Sequence, residues 1–148
     1  MNKMAQGRSM ENLRTIYQSY EGGDRNAFFW PAIYQIEPTS ECNLDCVMCP
    51  NQKITKRGHF SLETFRRLLD EVGDYALGVR LNYLGEPLLH PNITEMIKYA
   101  KAHSEAKVTL FTNATLLNHR IGVDLVNSGL DEIVFSIDGA TPSTFERV

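Results

Sequence analysis

The chain has no surplus of positive charge. Its 148 residues include 15 Lys or Arg against 18 Asp or Glu, a net charge of −3, so it has no cationic field to grip a nucleic acid backbone. Basic residues gather only in short runs such as Lys53–Arg57, which reads as a solvated loop. No apolar run approaches the roughly 20 residues that a membrane-crossing helix needs. The opening MNKMAQGRSM lacks the apolar stretch of a secretory signal. These absences predict a cytoplasmic protein without a nucleic acid or membrane partner. A fourth cysteine is also missing, because Cys42, Cys46 and Cys49 are the full set of three. An odd number leaves a thiol over from any disulfide pairing, and in a reducing compartment clustered thiols bind metal or do redox chemistry.

Apolar spacing supplies the organisation. A helix is expected over residues 9–20, capped by Ser9, with Met10, Leu13, Ile16, Tyr17 and Tyr20 on one face. A polar loop follows, and Phe28, Phe29 and Trp30 read as packing residues ahead of a strand over Ala32–Pro38. From there helices and strands alternate. Ser61 caps a helix carrying Leu62, Phe65, Leu68, Leu69 and Val72, and a strand spans Val79–Leu84. Asn92 and Glu95 form a capping-box-like pair before Ile93, Met96, Ile97 and Ala100, and a strand spans Lys107–Thr112. Asn118 opens a helix that Gly129 stops, a strand spans Glu132–Ile137, and Thr141-Pro142 begin one more helix. Repeated β-α units predict an α/β fold with a parallel sheet. Four strands are too few to close an eight-stranded barrel. The expectation is therefore a helical extension over residues 1–31, then the first part of a longer core domain over residues 32–148.

In such folds ligands collect at the carboxyl ends of the strands. Here each predicted strand runs into polar or glycine-containing sequence: ECNLDCVMCP after the first, Gly85-Glu86-Pro87 after the second, Thr112-Asn113-Ala114 after the third, and Ser136, Asp138 and Gly139 at the end of the fourth. Strand direction alone brings all four to one rim. Three cysteines placed at random would take this spacing roughly once in several thousand arrangements. An iron–sulfur cubane ordinarily takes four cysteines, one per iron, so three leave one iron with an open position that an amine and a carboxylate could chelate. Two other readings stand beside this one. A structural zinc site would combine the three thiols with a histidine, for which His90 is a candidate, but only one C-x2-C pair is present. A non-catalytic iron–sulfur scaffold would require a complete ligand set.

CNLDCVMC has the C-x3-C-x2-C pattern of the radical S-adenosylmethionine enzymes, and the resemblance extends over about residues 32–148. The Gly85-Glu86-Pro87 segment resembles that superfamily's GGEP element, with Leu84 in place of the first glycine. TNATLL resembles its third-strand TNG segment, with Ala114 in place of glycine. SIDGATPSTFERV is similar to the fourth-strand segment of the SPASM group, whose members carry an extra C-terminal cluster domain, and of the molybdenum-cofactor cyclase.

The resemblance implies a partial TIM-type (β/α)6 barrel, of which the first four strands are present. It implies that Cys42, Cys46 and Cys49 ligate a 4Fe–4S cluster and that S-adenosylmethionine binds its open iron. One electron, from a donor such as flavodoxin or ferredoxin, would cleave the sulfonium to methionine and a 5′-deoxyadenosyl radical. That radical would take a hydrogen atom from a substrate, a peptide or protein or a cofactor precursor. By the same resemblance, Gly85, Glu86 and Pro87 would offer backbone acceptors and the Glu86 carboxyl to the methionine ammonium. Met48 would lie against adenine, and Ser136, Asp138 and, less directly, Asn113 would contact ribose or the methionine carboxylate. Arg147 would pair with that carboxylate.

Overall fold

The structure, a computed structural model, describes residues 3–26 and 28–148, with side chains from residue 7 onward. Helix α1 (Lys3–Gly22) precedes an alternation of strands and helices: β1 (Ile33–Ile36), α2 (Leu62–Val72), β2 (Gly78–Leu81), α3 (Ile93–His103), β3 (Lys107–Thr112), α4 (His119–Asn127), β4 (Glu132–Phe135) and α5 (Pro142–Phe145). The strands form one sheet in the order β1-β2-β3-β4, every pair parallel.

Strand periodicity divides the sheet into two unlike faces. Val79 and Leu81 of β2 are fully buried, as are Val108 and Leu110 of β3. They form one core with Phe65 and Leu69 of α2, Met96, Ile97 and Ala100 of α3, and Leu125 of α4. All three helices therefore cover the same face. On the opposite face Gln35, Arg80, Thr109 and Glu132 stand side by side in register. A doubly wound sheet would need helices and apolar side chains on both faces. One face packed under α2, α3 and α4 and an opposite face of mixed character, where Ile33 and Phe111 stand beside those polar side chains, make the wall of a partial barrel.

The helix signals operate largely as the sequence predicts. Ser61 Oγ accepts from Thr64 N (3.0 Å), Asn118 Oδ1 accepts from Ile121 N (3.0 Å), and the Thr141 hydroxyl accepts from Thr144 N (3.3 Å). Each satisfies a backbone donor that the first helical turn leaves open. Gly129, just past α4, has φ +81°, the left-handed conformation that ends helices.

Several expectations need correction. Ser9 does not cap α1. The helix begins at Lys3, and Ser9 is buried within it. Asn92 makes no side-chain cap, and its backbone N–H, which a capping box would give to Glu95, donates instead to His90 Nδ1 at 3.1 Å. Strands β1, β2 and β4 end earlier than the apolar runs, since the chain leaves the ladder as it turns toward the rim. Helix α1 is fastened to the rest by Arg8–Asp74 and by Asn12, whose side chain bonds both Trp30 O (2.8 Å) and Trp30 N (3.0 Å).

Candidate functional site

The cysteine loop is closed at its base. Thr39, just past β1, forms an antiparallel bridge with His59, just before α2. Ser40 N donates to Gly58 O (3.0 Å), and Phe60 N donates to Pro38 O (2.7 Å). The chain between these stitches carries all three thiols. Cys49 N donates to Cys46 O (2.9 Å) in a tight turn, and Cys49 Sγ accepts from Asn51 N (3.5 Å) at the start of a short 3-10 turn, Pro50–Lys53. Such N–H···S contacts stabilise a thiolate.

A cavity of about 280 Å³ opens between this loop and the carboxyl ends of the strands. Cys42 and Cys46 line one side of it. Asn82, Gly85 and Glu86 come from the end of β2, Thr112 and Asn113 from β3, and Ser136 and Asp138 from beyond β4. The convergence expected from strand direction is therefore present. Burial, and then the neighbouring Cys42, Cys49 and Asp138, push the Cys46 thiol above its ordinary value. Several anionic groups close together disfavour a thiolate, so this donor set calls for a cation to share.

Two thiols on the cavity, Cys42 and Cys46, with Cys49 in the same tight turn as Cys46, are a soft donor set that suits an iron–sulfur cluster with one cysteine per iron. A single tetrahedral zinc ion, with sulfur ligands about 2.3 Å away, needs all its ligands gathered at one point. Among the described residues no three His, Cys, Asp or Glu side chains are gathered to hold a single metal ion. His90 is also committed elsewhere: it is 3 % exposed, its Nε2 donates to Phe60 O (3.0 Å) and its Nδ1 accepts from Asn92 N (3.1 Å).

The turn after β2 has a well-defined set of free and occupied acceptors. Leu84 O accepts from Asn51 Nδ2 (3.1 Å), Glu86 O from Leu89 N (3.0 Å) and Pro87 O from His90 N (2.9 Å). The Gly85 carbonyl has no partner among the described residues. The next amide, Glu86 N, donates to Glu41 O in the cysteine loop (2.8 Å). A trans peptide sets its C=O opposite its N–H, so Gly85 O points away from Glu41. Only a glycine fits here, because a Cβ at Gly85 would lie 1.8 Å from Thr39 O.

Glu86 departs from expectation. It is 2 % exposed, and protein donors occupy its carboxyl group: Oε1 accepts from Thr112 Oγ1 (2.6 Å) and Leu88 N (3.1 Å), and Oε2 from Asn113 N (2.8 Å). It clasps the β2 turn to the end of β3 instead of offering a free group to a ligand. The Asn113 side chain is similarly engaged. It donates to Asn43 Oδ1 (3.0 Å) and accepts from Thr115 N (3.0 Å), which ties the cysteine loop to the β3 turn. In that turn Ala114 adopts φ +62°, the left-handed conformation in which the resembling segment carries glycine.

Met48, Pro87 and Arg147 lie outside the cavity lining, as does Cys49. Met48 is 59 % exposed and is not among the residues lining the cavity, so the geometry does not carry a contact with adenine. Arg147 is exposed, and its Nε donates back to Ser143 O (2.9 Å), while Phe145 and Val148 of the same segment face the cavity. Ser136 and Asp138 line the cavity together, as their alternation with Ile137 predicts.

Sequence reading missed four residues. Glu37 Oε1 accepts from Leu84 N (2.8 Å) and Gly85 N (3.3 Å). Asn43 latches the loop to β3, and Asn51 bridges it to the β2 turn. Asn82 lines the cavity with a buried Oδ1 that has no partner among the described residues. No local pattern marks an Asn or Glu as a long-range bridge, so these roles appear only once distant segments are in contact.

No helix among the described residues is long and apolar enough to cross a membrane. Comparison with known proteins matches residues 36–148 to the family model described as the Radical SAM superfamily. The chain is 33% identical over 121 residues to a GTP 3′,8-cyclase of Desulforamulus reducens, an alignment covering 77% of this chain and 36% of that protein. It is 30% identical over 119 residues to an AdoMet-dependent heme synthase of Methanosarcina barkeri, covering 79% and 34% respectively. A mycofactocin maturase of Mycobacterium ulcerans is 31% identical over 116 residues, with 76% of this chain and 30% of that protein covered. The chain thus spans about a third of the length of the curated relatives it matches. Among solved structures, Streptococcus suis SuiB bound to S-adenosylmethionine superposes with a TM-score of 0.71 at 19% identity, over 92% of this chain and 31% of that one. BtrN in complex with AdoMet and 2-DOIA superposes with a TM-score of 0.63 at 19% identity, over 80% and 55%. A family match over more than half the sequence, on a parallel half-barrel whose rim joins the cysteine loop to the three following turns, establishes that the chain belongs to the radical SAM superfamily of 4Fe–4S- and S-adenosylmethionine-dependent enzymes.

Proposed function

We propose that this chain carries the cluster- and nucleotide-binding half of a radical S-adenosylmethionine enzyme. Cys42, Cys46 and Cys49 hold a 4Fe–4S cluster, and the cavity that Cys42 and Cys46 share with the strand ends receives S-adenosylmethionine. When bound, the cluster supplies one electron that splits the sulfonium into methionine and a 5′-deoxyadenosyl radical, which abstracts a hydrogen atom from the substrate. The residues of the chain bind and orient. The Gly85 carbonyl, the acceptor left open in the β2 turn, receives the methionine ammonium. A cation taken out of water needs such a partner. Ser136 and Asp138 face the ribose and the amino-acid end from the segment after β4. Glu86 and Asn113 act behind them, holding the β2 and β3 turns at fixed separation.

The observation that carries this reading is that Cys42 and Cys46 share one cavity with Gly85, Ser136 and Asp138. Flavodoxin or ferredoxin serves as electron donor, and the setting is cytoplasmic. The relatives act as cyclase, heme synthase and maturase, so the substrate class stays broad: a peptide or protein, or a cofactor precursor.

Anaerobic reconstitution of the intact polypeptide with iron and sulfide tests the reading. The expected product is brown, and S-adenosylmethionine perturbs the EPR signal of its reduced cluster. Under a strong reductant it releases 5′-deoxyadenosine, and Cys42→Ser, Cys46→Ser and Cys49→Ser each abolish this. A colourless protein that retains zinc would favour the structural zinc module instead. A cluster whose EPR signal ignores S-adenosylmethionine would favour a non-catalytic scaffold.

A further inference from the structure

We propose that Asn51 is a positioning residue that couples the cysteine loop to the Gly85 carbonyl, so that the nucleotide's acceptor is correctly set only while the segment bearing Cys49 is in place. The inference rests on the reading above and adds a residue that the cysteine pattern does not include. Asn51 is 2 % exposed. Its single NH2 group bridges carbonyls on two separate segments, Ser40 O at the exit from β1 (2.9 Å) and Leu84 O in the β2 turn (3.1 Å). Its backbone N–H reaches Cys49 Sγ. One residue thus touches a thiol, the root of the cysteine loop and the turn that binds the nucleotide.

The consequence for Gly85 follows from peptide geometry. The Leu84–Gly85 peptide is held at its oxygen by Asn51 and at its N–H by Glu37 Oε1 (3.3 Å). The next peptide is held at Glu86 N by Glu41 O. Planar peptides pinned on both sides of Gly85 leave its carbonyl one direction. Releasing Asn51 leaves the first plane held only by the long bond from Gly85 N to Glu37 Oε1 (3.3 Å), so rotation about the Gly85 backbone is less restrained and Gly85 O is less sharply aimed.

The same side chain buries Oδ1 with no partner among the described residues. That is an unfavourable arrangement, which an apolar side chain of similar size would avoid. Only a two-donor group, however, can span both carbonyls.

The experiment compares the reconstituted wild-type polypeptide with Asn51→Ala and Asn51→Asp. Iron and sulfide per chain, the dissociation constant for S-adenosylmethionine on the cluster-loaded fraction, the EPR shift that the nucleotide induces, and thermal stability are measured for each. Asn51→Asp keeps the volume but replaces the two donors with acceptors. Both variants are expected to hold the cluster and bind the nucleotide about tenfold or more weakly, the equivalent of one buried hydrogen bond, with a diminished EPR shift. A purely structural role would lower stability yet leave the loaded fraction binding within about twofold of wild type with its full EPR shift, and that result overturns the coupling. Failure of both variants to fold overturns it too. A wild-type polypeptide that loads no cluster defeats the underlying reading, and the coupling with it.

Discussion

Replacing Gly85 by alanine is the sharpest test of how the rim is built. The added Cβ would stand 1.8 Å from Thr39 O, 2.7 Å from Thr39 C and 2.8 Å from Glu41 O. Carbon and oxygen atoms of neighbouring chains approach to about 3.3 Å, so the backbones must separate by about 1.5 Å. Thr39 cannot yield cheaply. It is 1 % exposed, its hydroxyl donates to Gly58 O (3.1 Å) and accepts from Glu41 N (3.0 Å), and it bridges to His59. Overpacking of this kind costs about 1–3 kcal/mol. Losing one or two of these hydrogen bonds adds about 1 kcal/mol each. A total of about 4 kcal/mol corresponds to a fall in Tm of about 8–16 °C for a chain of this size. The assay is thermal unfolding followed by circular dichroism, with iron and sulfide content measured after reconstitution. Gly122→Ala is the control, since a Cβ there meets nothing within 4 Å and alanine in helix α4 is neutral or mildly stabilising. If Gly85→Ala melts within about 3 °C of wild type and loads the same iron, the argument from close backbone approach is wrong.

Three further outcomes are expected. Glu86→Gln points an NH2 group at one of its donors, most simply Asn113 N, and should lose about 1–3 kcal/mol, readable as a lower denaturation midpoint with unchanged slope. Burial, ahead of the nearby His59, holds the His90 imidazole below its ordinary value, with only partial relief from the bond to Phe60 O. Its folded pKa therefore lies under its unfolded one, so its contribution to stability is complete above about pH 6.5 and fades as the pH falls further. Tm should decline on acidification, and His90→Asn should flatten that decline. Ala114→Gly removes the strain of a side chain at φ +62°, about 1–2 kcal/mol, against the roughly 0.5–1 kcal/mol of freedom that glycine gives the unfolded chain. Tm should hold or rise slightly, and a clear fall would show that the turn is not strained.

The sequence alone determined the elements and the place where they converge. Helical spacing of Phe65, Leu69 and Val72, the caps at Ser61 and Asn118, and the β-α alternation are local properties, and local chemistry reproduces them in the structure. The cysteine spacing and the strand directions likewise brought Cys42, Gly85, Asn113, Ser136 and Asp138 to one rim. Tertiary structure decided which polar groups remain free. Glu86 looked like a ligand group until Thr112, Leu88 and Asn113 arrived to occupy it, and Gly85 O is left open among the described residues while the carbonyls of Leu84, Glu86 and Pro87 have donors. Asn51, Asn43 and Glu37 carry no local signature, since their partners lie on other segments of the chain. Element formation depends on neighbours a few residues away. The availability of a hydrogen-bonding group depends on whichever distant segment the fold presses against it.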